Sequence, residues 1–230
     1  MSEILSNAAY FGVTISLIGY AVGLWIKKKV RKPFANPLLI SVILVIGALI
    51  ALDIDYDAYN ESAKYLSYFL TPATVCLSIP LYQQLELLKK HWKAVIGGLV
   101  AGVISSLTSV LGLSVLFGLT HEQYVSLLPK SITTAIGMGV SEELGGIVTL
   151  TVASIILTGV LGAVIGEAVC KLFRIRNRVA VGLSFGASAH AIGTSRALEI
   201  GEVEGAMSSL AIAVSGLLTV TFISFFAPLY

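Results

Sequence analysis

Six long apolar stretches, interrupted by three clusters of basic residues, constrain the fold of this chain more than any other feature. They run from about Ala8 to Ile26, Pro37 to Leu52, Tyr65 to Leu88, Ala94 to Leu119, Ile147 to Val169 and Gly205 to Ala227. A helix needs about 20 mostly apolar residues to cross the roughly 30 Å of bilayer hydrocarbon, so each stretch reads as a span. With 56% apolar and 12% charged residues among 230, the chain holds one compact membrane bundle and no sizeable soluble domain. A net charge of +2 offers no basis for nucleic-acid binding.

The basic clusters are Lys27, Lys28, Lys29, Arg31 and Lys32; Lys89, Lys90 and Lys93; and Lys171, Arg174, Arg176 and Arg178. Together they hold 12 of the 15 Lys and Arg, which puts all three on the cytoplasmic side. The N-terminus and the acidic loop of Asp53, Asp55, Asp57 and Glu61 are then external. Met1 to Asn7 carries Glu3 and no basic residue, the reverse of a cleavable signal peptide, so the first span is expected to be retained. The 120–145 region must begin and end outside. Two full crossings do not fit there, whereas two arms of about 10 residues, each reaching about 15 Å, do. A re-entrant hairpin is expected. The region from Arg178 to Glu204 poses the same problem from the cytoplasmic face, and the uncharged C-terminus gives no vote on its own side.

An internal repeat supports this reading. Ala135, Ile136 and Gly137, followed by Glu143, Leu144 and Gly145, recur 56 residues later as Ala191, Ile192 and Gly193, then Glu199, Ile200 and Gly201. Each copy precedes an apolar stretch, so the unit is a broken segment plus one span, and a single crossing per unit inverts the second copy. Inverted repeats with discontinuous helices surround midplane sites in transporters. The expected fold is an all-α integral membrane protein with about six spanning helices and two re-entrant or broken hairpins forming an inverted repeat of the elevator-transporter kind. Residues 1–119 would form a helical scaffold with a broken third span, and 120–230 the inverted-repeat core.

The second broken segment, Gly186 to Glu199, mixes small, polar and charged residues. Arg196 and Glu199 facing lipid would together cost about 5–7 kcal/mol, so this is no ordinary span. Gly193 is expected to break the helix and turn backbone N–H groups toward an anion, with Thr194, Ser195 and Arg196 completing a pocket for a small carboxylate. The competing reading pairs Arg196 with Glu199, three residues on, at the membrane surface. His190 is either a proton carrier or a polar group hydrogen-bonded inside the bundle. The first broken segment offers Ser131, Thr133, Thr134 and Gly137, with hydroxyls suited to a carboxylate or a cation. Ser141, Glu142 and Glu143 follow toward the external surface. Glu143 and Glu199 are candidate coupling or structural acids. Thr71, Pro72 and Thr74, with Pro80 beyond, predict a kinked third span lining the same cavity. Cys76 and Cys170 have no metal-ligand spacing, so neither a metal, a cofactor nor a disulfide is expected. An intramembrane hydrolase using Ser188 or Ser195 with His190 is disfavoured, because Ser188 and His190, two apart, point to different helical faces.

The runs PKSITTAIGMGVSEELGG from Pro129 and SFGASAHAIGTSRALEIGEVEGAMSSLA from Ser184 closely resemble the LrgB family of bacterial membrane proteins, and the likeness covers nearly the whole chain. Many members have proline where this chain has Ala135. The family is similar to the second half of the plastid glycolate/glycerate translocator. Its members are usually described as antiholin-like proteins acting with a small LrgA- or CidA-type membrane partner. The resemblance implies a multi-pass protein of the bacterial cell membrane that forms homo-oligomers. It implies one of two roles: a transporter or facilitator of small monocarboxylates such as glycolate, pyruvate or lactate, coupled to protons or sodium, or a regulator of murein hydrolase export and lysis.

Overall fold

The computed structural model describes residues 10–30, 36–69, 72, 75–76 and 78–230. These divide into two compact units, Met1–Cys76 and Leu77–Tyr230. The described residues form helices and turns, with no strand among them.

In the first unit, α1 spans Phe11–Val30, α2 Pro37–Leu52 and α3 Tyr56–Ala63, followed by a 3-10 turn over Lys64–Phe69. Lys27, Lys28 and Lys29 occupy the last turn of α1, where cations are favoured by the helix dipole. Asn36 caps α2, its side-chain oxygen accepting from the N–H groups of Leu38 at 2.9 Å and Leu39 at 3.4 Å, and Pro37 takes the first helical position. Asp53, at φ 52°, ends the helix in a left-handed turn that brings the Ile54 N–H to Leu49 O at 3.0 Å. α1 packs closely on α2 and α3 because it is bare where they meet: a Cβ on Gly23 would lie 2.5 Å from Pro37 O, and one on Gly12 2.5 Å from Tyr59 O. Thr71 and Thr74, expected to line a cavity, lie outside the described residues. Pro72 is helical and exposed.

In the second unit, α4 covers Ser78–Gln83, α5 Leu85–Phe117, α6 His121–Leu127, α7 Thr134–Glu143, α8 Val148–Leu172, α9 Arg178–Ile200 and α10 Glu202–Phe226, with a closing 3-10 turn at Ala227–Leu229. Three helices among the described residues are long and apolar enough to cross a membrane: Lys89–Phe117, Val148–Leu172 and Glu202–Leu229. Lys89, Lys90 and Lys93, expected in a connection between two spans, instead lie in the first turns of the 33-residue α5. Nothing from Leu85 to Ile96 interrupts a helix, and lysine is a good helix former, so the break falls earlier, at Gln84 (φ −108°, ψ 18°).

The 120–145 region forms two short arms, as its length demands. Thr120 and Gln123 make a reciprocal capping box at the start of α6, residues 128–133 form the tip, and α7 returns. Gly145, at φ 73°, turns the chain into α8. Thr151 of α8 ties both arms, its hydroxyl lying 2.9 Å from Ser126 O and sharing a 2.7 Å hydrogen bond with Ser141 Oγ.

α9 is also two arms, but the break falls elsewhere than expected. The non-helical residue is His190, at φ 41° and ψ −134°, whereas Gly193 lies inside the second arm. Gly193 is buried where that arm folds back on the first, and a Cβ there would lie 2.6 Å from Ala189 Cβ. Its small size permits the close return without supplying the bend. Contacts with α8 trace the reversal: Phe185 lies against Gly166, Ala189 against Gly162 and His190 against Gly159, after which Arg196 comes back to Glu167. α10 packs along the first arm, where a Cβ on Gly182 would meet Met207 Cβ at 2.8 Å and one on Gly186 would meet Ala211 Cβ at 2.7 Å. The two copies of Ala-Ile-Gly occupy the same place, each at the start of a second arm, and their offset of 56 residues relates Thr134 to His190.

The core of the unit joins Val103, Leu107 and Val110 of α5 to Tyr124, Val125 and Leu128 of the first hairpin and Ile223 of α10. Tyr124 OH donates to Phe226 O at 2.7 Å and Tyr230 OH to Leu119 O at 2.6 Å, which fixes the end of α10 at the mouth of the first hairpin.

Candidate functional site

The bend of the second hairpin and the start of the first hairpin's returning arm converge on one turn of α8. His190 Nε2 lies 2.9 Å from Ile155 O, and Gly137 sits where a Cβ would come within 2.5 Å of Ile155 Cδ1. The two residues reach the turn in different ways. His190 is directed there by its left-handed backbone, and Gly137 because α7 starts afresh after the 128–133 tip.

Beside this junction lies a cavity of about 830 Å³ between α5, the first tip, α8 and the first arm of α9. Ser106, Lys130, Ser131, Thr158, Ser184 and Ser188 are among its polar groups, and Val95, Leu99 and Leu183 form part of its apolar wall. Ser131 is buried at the tip and shares a 3.2 Å hydrogen bond with Ser106. Lys130 Nζ donates to Ser131 Oγ at 3.0 Å and has no carboxylate within ion-pair distance among the described residues. Thr158 lies ten residues along α8, about 15 Å from its start, so the cavity reaches well into the bilayer if α8 spans it. An ammonium at such a depth costs about 2.5–3.5 kcal/mol on insertion scales, and residues of this kind face cavities or partners rather than lipid.

The residues expected to bind substrate divide into three groups. Ser131 lines the cavity. Thr133 and Thr134 lie at the start of α7, Thr133 as an N-cap without a side-chain cap bond, and Gly137 and His190 form the junction at Ile155. Thr194, Ser195 and Arg196 are spoken for elsewhere. Thr194 Oγ1 donates to His190 O at 3.0 Å and shares a 2.7 Å hydrogen bond with Ser208, while Ser195 is exposed and donates to Ala191 O at 3.1 Å. Arg196 is clamped between Glu199 on its own arm and Glu167 of α8, so the pairing reading of Arg196 and Glu199 matches the geometry, with a second acid added. Glu143 is exposed at the end of α7. At the base of α9, Arg178 grips Glu204 through two bonds of 2.8 and 2.9 Å.

Lys130, Ser106, Thr158 and Ser184 escaped the sequence reading, and Ser188, weighed there only as a hydrolase serine, lines the cavity instead. Lys130 carried one usable signal, a lysine next to Pro129 within a segment already expected to dip into the bilayer. The helical hydroxyls carried none, since serine and threonine are common on packed membrane helices.

The model of the LrgB-like family matches residues 16–229. The antiholin-like protein LrgB of Bacillus mycoides (strain KBAB4) is 37% identical over 220 residues, covering 95% of this chain and 96% of the relative. The proteins of the same description from Bacillus cereus (strain B4264) and Bacillus anthracis (strain CDC 684 / NRRL 3495) match with the same identity and coverage. No solved structure matches. A family match over nearly the whole chain and relatives aligned end to end lead to one conclusion: the chain belongs to the LrgB-like family.

Proposed function

We propose that this chain acts as an antiholin-like membrane protein, restraining murein hydrolase export and cell lysis together with a small membrane partner of the LrgA or CidA kind. The observation that carries this reading is the 37% identity, over 95% of the chain, to proteins described as antiholin-like. Deleting the coding sequence from its host, in medium free of small organic acids, should accelerate detergent-induced autolysis and raise extracellular murein hydrolase activity on zymograms. Unchanged lysis and hydrolase activity would overturn the proposal.

A second reading draws its support from geometry. Two broken hairpins that meet at Ile155, beside a cavity lined by hydroxyls and Lys130, suit a carrier or facilitator of small monocarboxylates with proton or sodium coupling. A purely regulatory protein has no need of a cavity containing a cation that has no carboxylate partner among the described residues. In proteoliposomes, labelled glycolate, pyruvate or lactate should enter saturably and faster under a proton or sodium gradient. Uptake no greater than in protein-free liposomes, for all three acids and both gradients, removes this reading and leaves the first untouched.

A further inference from the structure

We infer that the cavity between α5, the first hairpin tip and the first arm of α9 binds a small monocarboxylate through the ammonium of Lys130. The inference rests on the carrier reading and names its anchor. A lysine ammonium has three N–H donors, and here one is directed at Ser131 Oγ, 3.0 Å away. The other two have no partner among the described residues. Ser131 is in turn bonded to Ser106 at 3.2 Å, so the ammonium is held at the tip by a short chain of hydroxyls anchored on α5.

Charge selects the ligand. Arg196, the cation that the sequence singles out, already has two carboxylates, and Arg178 has Glu204, so neither offers an unmet positive charge. Lys130 has none among the described residues, and the other polar groups of the cavity are neutral hydroxyls, His91 and Asn177. Among the lining residues Lys130 is the one Lys, Arg, Asp or Glu, so its single charge matches one negative charge, and a dianion would bring a second. Leu99 and Leu183 line the same space and give a short hydrocarbon portion somewhere to lie. A volume of about 830 Å³ holds such a molecule with its remaining water.

The test is isothermal titration of the purified full chain in detergent with sodium pyruvate, glycolate and lactate, and with methyl pyruvate as the uncharged counterpart. The wild type should bind at least one acid and not the ester. Lys130→Gln should weaken binding about 10- to 100-fold, the worth of a charge-assisted hydrogen bond, while Lys130→Arg keeps part of it. Lys130→Gln also removes an uncompensated charge, so it should unfold no earlier than wild type, which separates lost binding from lost fold. Wild-type affinity in Lys130→Gln overturns this inference and leaves the carrier reading standing. Absence of binding to all three acids by the wild type overturns both. If Lys130→Gln changes the oligomer size on gel filtration and the wild type binds no acid, a carboxylate of a second copy meets the lysine, and the small-ligand site is again overturned.

Discussion

Arg196 shows how a residue chosen for its charge can belong to the framework. Its guanidinium bridges Glu199, three residues on, and Glu167, across the interface with α8, and Lys171 lies 3.9 Å from the same Glu167. Removing the arginine leaves two acids close together on partly buried surface, which like charges make costly. Arg196→Gln should therefore lower the thermal stability of the detergent-solubilised protein, and Glu167→Gln added to it should recover part of the loss. A double-mutant cycle should report a coupling of about 0.5–3 kcal/mol. Additive single effects would mean that the pair contributes nothing to holding the hairpin. His190 is the complementary case. Its backbone adopts φ 41°, where side chains with a Cβ are rarely found, and its ring is secured by the 2.9 Å contact with Ile155 O. The contact gives the histidine a structural duty at the bend whether or not it also carries a proton.

The second hairpin depends on small residues at the scale of the element. Gly182, Gly186 and Gly193 let the two arms and α10 approach within side-chain distance, and Gly159, Gly162 and Gly166 form the matching track on α8. This is packing by close approach, the usual basis of helix association in lipid, where burying apolar surface gains little. Gly186→Val should destabilise the protein by about 1–3 kcal/mol, because the added carbons meet Ala211 and the backbone of Ser208. Gly112→Ala on α5, where a Cβ would meet nothing within 4 Å, should be neutral or stabilise by up to about 1 kcal/mol through helix propensity. Midpoints of thermal unfolding in detergent for the two variants check the contrast, and equal losses would refute the packing described here.

The arrangement of the two hairpins predicts a topology for the whole second unit. The mouth of the first hairpin and the end of α10 share one end, shown by the 2.6 Å bond from Tyr230 OH to Leu119 O, and the Arg178–Glu204 clamp closes the mouth of the second. With the exposed Cys76 and buried Cys170 replaced by alanine, a cysteine in place of Arg176 should react with an impermeant maleimide only from the cytoplasmic face, and one in place of Glu122 only from outside. Labelling of both from the same face would dismantle the opposed arrangement. The helical class of the chain was legible in the sequence, because it follows from local quantities. The length of apolar runs, the positions of Lys and Arg, and the paired Ala-Ile-Gly triplets indicated a helical membrane protein with two broken segments. The exact bend was not legible, since glycine at 193 can serve equally to turn a chain or to let two arms touch, and only the packing against Phe185 and Ala189 decides between them. The cavity was not legible either. Ser106, Lys130, Thr158 and Ser184 are distant in sequence and come together only when α5, the first tip, α8 and α9 are packed, so their common space is a property of the tertiary structure. The sequence by itself determined the solvent this chain folds in and that two of its segments do not run as single spans, because hydrophobicity and segment length are local quantities, whereas the residue at which the second segment bends was set by packing. That Arg196 and Arg178 are paired while Lys130 faces a cavity with no carboxylate partner among the described residues was decided only by the fold, because compensation depends on neighbours that the chain order does not reveal.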